Sequence, residues 1–178
     1  IKGYEKIGCH VINIGKYEIL NGLSFLNGIV EKTNIPFISA NLKDLESGDL
    51  LFQPYKIFER DGLNIGVIGV MDNLPDTSKN IMAEDFVKAG NKYIDKLKNE
   101  VDVIVLLANC ERGKQSSLNE KFPNADFVIT SGSTNMTRST NPQADMGPLV
   151  YSCGKQGKYL ITIDLTLKDK NKTFVDIT

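Results

Sequence analysis

The chain has 178 residues, 41% of them apolar and 24% charged, with a formal net charge of -1. That suits one ordinary globular domain. With no basic stripe and no acidic tail, nucleic acid and anionic membrane are excluded as expected partners, and no apolar run approaches the roughly 20 residues of a transmembrane helix.

Strand-like and helix-like patterns alternate along the chain. Residues 9–14 (CHVINI) are a short apolar run ending at Gly15, which predicts a buried strand. Ile19, Leu23, Leu26 and Val30 recur at helical spacing and predict a helix over residues 18–32. Residues 36–41 (PFISAN) predict a short strand. Two further strands, 55–59 and 63–70, are joined by Arg60-Asp61-Gly62, and Asp-Gly is a strong hairpin signal. A second helix is expected over residues 83–100, where Phe86, Gly90, Tyr93, Leu97 and Val101 form one stripe. Residues 101–108 are apolar apart from Asp102, as in a strand covered on both faces. Residues 126–130, 149–153, 159–167 and 173–177 complete the strands, the last two joined by the polar turn 168–172. The longest irregular stretch is 132–148, long enough to be a functional or mobile loop.

This order predicts an α/β layered fold, a sheet flanked by helices with antiparallel strand pairs toward the C-terminus. The runs 9–14, 65–70, 103–108 and 127–130 are expected to share one sheet. Strands ending in Gly or small polar residues put loops 15–18, 108–113, 131–135 and 153–158 at one edge, where open α/β folds build their sites.

Three cysteines, Cys9, Cys110 and Cys153, are odd in number and widely spaced, which gives no disulfide framework and no zinc motif. Cys110 and Cys153 both follow strands whose ends face the site edge. They are a candidate thiol pair for redox or soft-metal work, expected close together but not bonded. Cys9 is expected in the core. The single histidine, His10, cannot alone make a His-based site. Two glycosylation patterns, at Asn135 and Asn171, carry no weight without a secretory context.

Five stretches together resemble the N-terminal domain of the 5′-nucleotidases, a branch of the calcineurin-like metallophosphoesterases. Residues 7–18 (IGCHVINIGKYE) resemble the family's G-Y-D-A-…-G-N-H-E strand and loop, and residues 35–42 (IPFISANL) its F-P-…-S-A-N segment. Residues 54–70 look like the hairpin that follows. Residues 102–109 and 126–135 sit where the family has strands ending in S-H and G-H-x-H, and residues 154–167 (GKQGKYLITIDLTL) resemble its G-x-x-G-K-Y-L-G-…-L-D-L stretch.

The resemblance implies a two-metal phosphoester hydrolase, in which Asp, Asn and His ligands from several strand ends hold ions that activate water and clamp phosphate oxygens. The family's first ligand motif, D-x-H, belongs on a strand expected before Ile1. The chain opens on Ile rather than Met and shows no signal peptide. Residues 1–178 are thus expected to be a single domain without its first strand. At the other ligand positions the family residues are replaced. G-N-H-E reads Gly15-Lys16-Tyr17-Glu18, so Lys16 replaces the bridging Asn and Tyr17 the acid/base His. S-H reads Ala108-Asn109. For G-H-x-H, either Gly132 and Thr134 or Ser133 and Asn135 take the His positions. Lys16 brings positive charge where two cations belong, which is strongly unfavourable at about 4 Å in a low dielectric. Asn carbonyls suit hard ions only with carboxylates beside them. No catalytic residue, metal ligand or metal cofactor is therefore expected in this chain, and the residues from Gly15 to Glu18, with Asn109 and Gly132 to Asn135, form a vestigial site edge. His10 falls on the Asp of G-Y-D-A and is expected to be a hydrogen-bonded structural residue.

Three functional readings follow. The first is a 5′-nucleotidase-like domain with lost or altered metal-dependent hydrolysis, periplasmic or extracellular by family resemblance. The second is a non-catalytic module that uses the loop at residues 131–141 for a ligand or a protein partner. A small anion at Lys16 or a nucleotide-like molecule is the expected ligand. The third, more distant, is a thiol redox partner.

Overall fold

Strand β5 (Leu63–Met71) and strand β7 (Val103–Cys110) organise the molecule. Both are runs of Ile, Val, Leu and Gly or Ala with both faces covered, as parallel interior strands require. The computed structural model describes residues 1–76, 78–132, 134–136, 147–154, 158 and 160–164. Among these, β5 and β7 pair in parallel, and the five-stranded sheet is completed by β4 (Tyr55–Arg60), β8 (Phe127–Gly132) and β9 (Leu149–Tyr151) in the order β4-β5-β7-β8-β9. Only β4 runs antiparallel, joined to β5 by the expected hairpin. Asp61 and Gly62 there have φ of 52° and 79°, the double positive φ of a type I′ turn.

Helix α3 (Phe86–Leu97) covers one face of this sheet. Asp85 caps its first turn by accepting the Lys88 N–H at 2.8 Å. It buries Phe86, Ala89, Gly90, Tyr93, Ile94 and Leu97 against Ile68, Val70, Ile104 and Leu106. A 3₁₀ turn (Arg112–Ser117) and a one-turn helix, α4 (Leu118–Lys121), lead from β7 to β8. Helices α1 (Lys2–Lys6) and α2 (Leu23–Val30) complete the set.

The other face carries a correction. The run 9–14 does not join the large sheet. Its strand, β1 (Ile12–Asn13), pairs in parallel with β2 (Phe37–Ile38) as a separate small sheet. Apolarity announced burial but not the partner. The small sheet sits against β5, where Gly69 leaves room for Ile38 and Asn13, and Asn13 Nδ2 donates to the carbonyls of Val70 and Leu107 at 3.0 and 3.1 Å. A third sheet, β3 (Leu42–Asp44) with β6 (Ile81–Ala83), is antiparallel. Ile14, Ile19, Leu26, Phe37, Leu42, Met71 and Ile81 form the core on this side.

The expected strand at 149–153 is β9, and it runs parallel to β8. The expected strand at 173–177 lies outside the described residues, as do 159 and 165–167; residues 160–164 are described and carry no strand, so the expected antiparallel C-terminal pair is not among the described elements. The described antiparallel pairs, β3 with β6 and β4 with β5, both lie in the N-terminal half.

Candidate ligand site at the sheet edge

The C-terminal ends of β5, β7 and β8 and the loop after β1 converge at one edge. They enclose a hollow of about 100 Å³ lined by Lys16 and Tyr17 from the loop, Asp72 and Asn73 after β5, Asn109, Cys110 and Glu111 at the end of β7, and Gly132. A wider cleft of about 680 Å³ adjoins it and shares Tyr17, Asn109 and Gly132. Tyr4, Ile12, Leu107 and Ile129 give it apolar walls.

Asn109 is the brace of this edge. Its Oδ1 accepts the Lys16 N–H at 3.1 Å and its Nδ2 donates to Ser131 Oγ at 3.0 Å. It lies so close to Gly15 that a Cβ there would fall 2.6 Å from its amide, which is why this loop position takes glycine. The loop is closed by the Gly15 N–H donating to Glu18 Oε2 at 2.9 Å. Both ends of the Asn109 amide are thus used in holding three loops together. Among the described residues, no group of three or more His, Cys, Asp and Glu is placed to hold a metal ion.

Asp72 forms the floor. Its side chain is 4% exposed, and Oδ1 accepts Lys114 Nζ at 2.5 Å. That hydrogen bond raises the Lys114 pKa above its ordinary value against the opposing effect of burial. Asp72 Oδ2 is buried with no hydrogen-bond partner. The backbone below it is fixed by Asn41, fully buried, whose Oδ1 accepts the Met71 N–H at 3.0 Å and whose Nδ2 donates to Met71 O at 2.7 Å and Glu84 O at 2.8 Å. The S-A-N segment therefore sets where β5 delivers Asp72. At the rim, Glu111 Oε1 accepts Asn73 Nδ2 at 2.9 Å.

Lys16, Tyr17, Asn109 and Gly132 thus line one hollow. Thr134 and Asn135 do not line the hollow. Thr134 is buried with Oγ1 2.7 Å from Ser152 Oγ, and the Asn135 backbone is clasped by the Gln115 side chain, with both bonds at 3.0 Å. Ser133 and residues 137–141 of the proposed interaction loop lie outside the described residues, as does Asn171. His10 is exposed and meets Phe58 edge-on, with ring centroids 6.0 Å apart. Asp72, Asn73, Glu111 and Lys114 were missed. Asp72 and Asn73 directly follow an apolar strand, the signal that singled out the other edge residues. The pairing of Lys114 with Asp72 across 42 residues left no trace in the sequence. These groups change the electrostatics expected from Lys16 alone, because two carboxylates face the same hollow.

The three thiols are free. Strand β8 stands between β7 and β9, so the strands leading to Cys110 and Cys153 are about 9–10 Å apart, two sheet spacings. Burial, followed by the charge of Asp72, pushes the Cys110 thiol up to about 11. Cys110 should therefore react with iodoacetamide at pH 7 about 100-fold or more slowly than a free peptide thiol of pKa about 8.5, a rate readable by mass spectrometry. Alkylation of Cys110 at the rate of exposed Cys153 would show that the hollow opens to admit reagent.

No family model matches the chain. A 5′-nucleotidase of Vibrio cholerae is 38% identical over 94 residues, covering 52% of this chain and 15% of that protein. A 5′-nucleotidase of Vibrio parahaemolyticus is 37% identical over 121 residues, 66% of this chain and 20% of that protein. The chain thus spans a fifth or less of the length of these curated relatives. In fold it matches the crystal structure of the calcineurin-like phosphoesterase YfkN from Bacillus subtilis with a TM-score of 0.77 at 24% identity, covering 97% of this chain and 62% of that one.

Proposed function

Because the chain belongs to the calcineurin-like metallophosphoesterase superfamily, in the branch of the 5′-nucleotidase N-terminal domains, we propose that it keeps this fold as a ligand-binding domain and has lost two-metal phosphoester hydrolysis at its own ligand positions. The observation that supports this is Asn109. It stands at the S-H position, and its carbonyl and amide ends are both engaged, one by the Lys16 backbone and one by Ser131. An amide so engaged serves as a structural brace, although its oxygen keeps a second lone pair besides the one that accepts the Lys16 N–H. Lys16 and Tyr17, in place of Asn and His, add a cation and a phenol where divalent ions need neutral nitrogen or anionic oxygen donors. The residues present do not fit the metals that the family implies.

The ligand reading rests on the hollow and its adjoining cleft. The volume of the cleft lies in the range of small-molecule sites. A nucleotide-like ligand, suggested by the names of the relatives, would enter this cleft; a small anion would meet Lys16. A protein partner is a further outcome of the same binding tests. A periplasmic or extracellular location belongs to this reading. Among the described residues, no helix is long and apolar enough to cross a membrane.

The purified 178-residue chain should carry no stoichiometric transition metal by elemental analysis. It should also give no metal-dependent hydrolysis of p-nitrophenyl phosphate with manganese, cobalt or zinc. A clear metal-dependent rate that disappears in Asn109→Ala would overturn the proposal.

A further inference from the structure

We infer that the hollow between Asp72, Glu111 and Lys16 takes a small zwitterion, with its ammonium on the carboxylate side and its carboxylate on the Lys16 side, as in the head group of a free α-amino acid. The inference rests on the reading of this edge as a ligand site without metals and adds the chemistry of its ligand.

The first support is the buried acceptor. Asp72 Oδ2 has lost its water without gaining a donor, while Oδ1 of the same carboxylate is held by Lys114. An acceptor left in that state carries its full desolvation penalty, which a ligand N–H removes on binding. The Asp72 side chain lines the hollow, and its broad, roughly two-fold χ2 torsion lets the carboxylate turn as a unit toward a ligand N–H, loosening the Lys114 contact as it does. An ammonium brings three N–H donors, enough for Asp72 and the Glu111 carboxylate together.

The second support is the balance of charge. Asp72 and Lys114 form an ion pair, and Glu111 and Lys16 then stand as a negative and a positive group lining the same hollow. A lone anion drawn to Lys16 meets Glu111 and Asp72. A lone cation drawn to Glu111 meets Lys16. A molecule carrying both charges a few bonds apart satisfies each side and repels neither, which is how charge arrangement discriminates among ligands of similar size.

The third support is size. The hollow, about 100 Å³, is well below the roughly 300–1,000 Å³ of drug-sized ligand sites, so it suits a ligand of few heavy atoms. An amino-acid head group of about five heavy atoms fills such a space, and a ligand that small binds in the millimolar range.

The test is a titration of the ¹⁵N-labelled chain with glycine, acetate and methylammonium, followed by backbone amide shifts. Glycine should give saturable shifts at residues 16–17, 72–73 and 109–111, with acetate and methylammonium each binding about 10-fold or more weakly, one decade per matched charge at the least. Glu111→Gln, at an exposed rim position, should weaken glycine about 10-fold, and Lys16→Ala should bring it to the level of methylammonium. Asp72→Asn, first checked by thermal melting because Lys114 loses its partner, should also weaken glycine. Acetate saturating as tightly as glycine would replace the zwitterion by a simple anion site. Absence of any saturable shift at about 100 mM glycine, two decades above a millimolar constant, would overturn the inference. The p-nitrophenyl phosphate assay on the same sample separates the failures. Without glycine shifts and without turnover only the zwitterion site falls, whereas metal-dependent turnover removes the premise, and the inference with it.

Discussion

Phe122→Ala should lower the unfolding free energy by about 3–5 kcal/mol, the range for emptying a fully buried phenylalanine site. Phe122 has no exposed surface and follows α4, where the chain turns back toward β8. Its ring meets Phe86 at 5.9 Å and 61°, and it lies so close to Gly90 that a Cβ there would fall 2.6 Å from its edge. It therefore fills the notch that the missing side chain leaves in α3 and joins that helix to the segment between β7 and β8. That segment also supplies Lys114, so the loss should be felt at the site: Lys114 lies 5.8 Å from the centroid of the Phe86 ring while it pairs with Asp72. Urea denaturation measures the change directly. Since domains of this size are stable by about 5–15 kcal/mol, a folded variant with a clearly lower midpoint is the expected outcome. A loss below about 1 kcal/mol would mean that neighbours collapse into the space, against the tight packing at Gly90.

The sequence was most readable where burial acts on both faces of one strand or along one stripe of a helix. The runs at β5, β7 and β8, the Asp61-Gly62 hairpin and the stripe from Phe86 to Leu97 all carry signals that no distant contact overrides. Helix α2 begins at Leu23 rather than at residue 18, because the preceding segment folds into turns and Gly22, at φ 86°, precedes the first helical turn. Strands β3 and β6 were not foreseen. Three residues such as Leu42-Lys43-Asp44 hold too little alternation to register, and the Asn41 side chain that ties Met71 to Glu84 beside this pair acts across distant segments. Helix α1 buries nothing and so shows no apolar stripe. At the site, Lys16, Tyr17 and Asn109 were found through likeness to a family motif. Asp72, Glu111 and Lys114 have no counterpart in that likeness and meet only after folding.

The seating of the small sheet on the large one was also invisible in the sequence, and it gives the second large effect. Gly69→Ala should destabilise the chain by about 2–5 kcal/mol, combining overpacking with the loss of buried hydrogen bonds. The new methyl would lie 2.4 Å from Asn13 Oδ1, 2.9 Å from Ile38 Cγ1 and 3.0 Å from the Ile38 carbonyl. The carbonyl belongs to β2 and cannot move without its strand. Asn13 cannot give way either without releasing the carbonyls of Val70 and Leu107 that it bridges across β5 and β7. Gly66, three residues earlier, is the internal control. It faces α3, and the nearest atoms a methyl there would meet are side-chain methyls of Leu97 and Val101, at 3.1 and 3.2 Å. These are side-chain tips that can shift by a few tenths of an ångström. Gly66→Ala should therefore cost about 1–2 kcal/mol less than Gly69→Ala in parallel urea titrations. The loss at Gly69 should also reach the ligand edge, because Asn13 and the loop bearing Lys16 belong to the same small-sheet segment. Equal destabilisation of the two variants would show that β1 and β2 ride loosely on β5. Asn13 would then not be the bolt between the sheets.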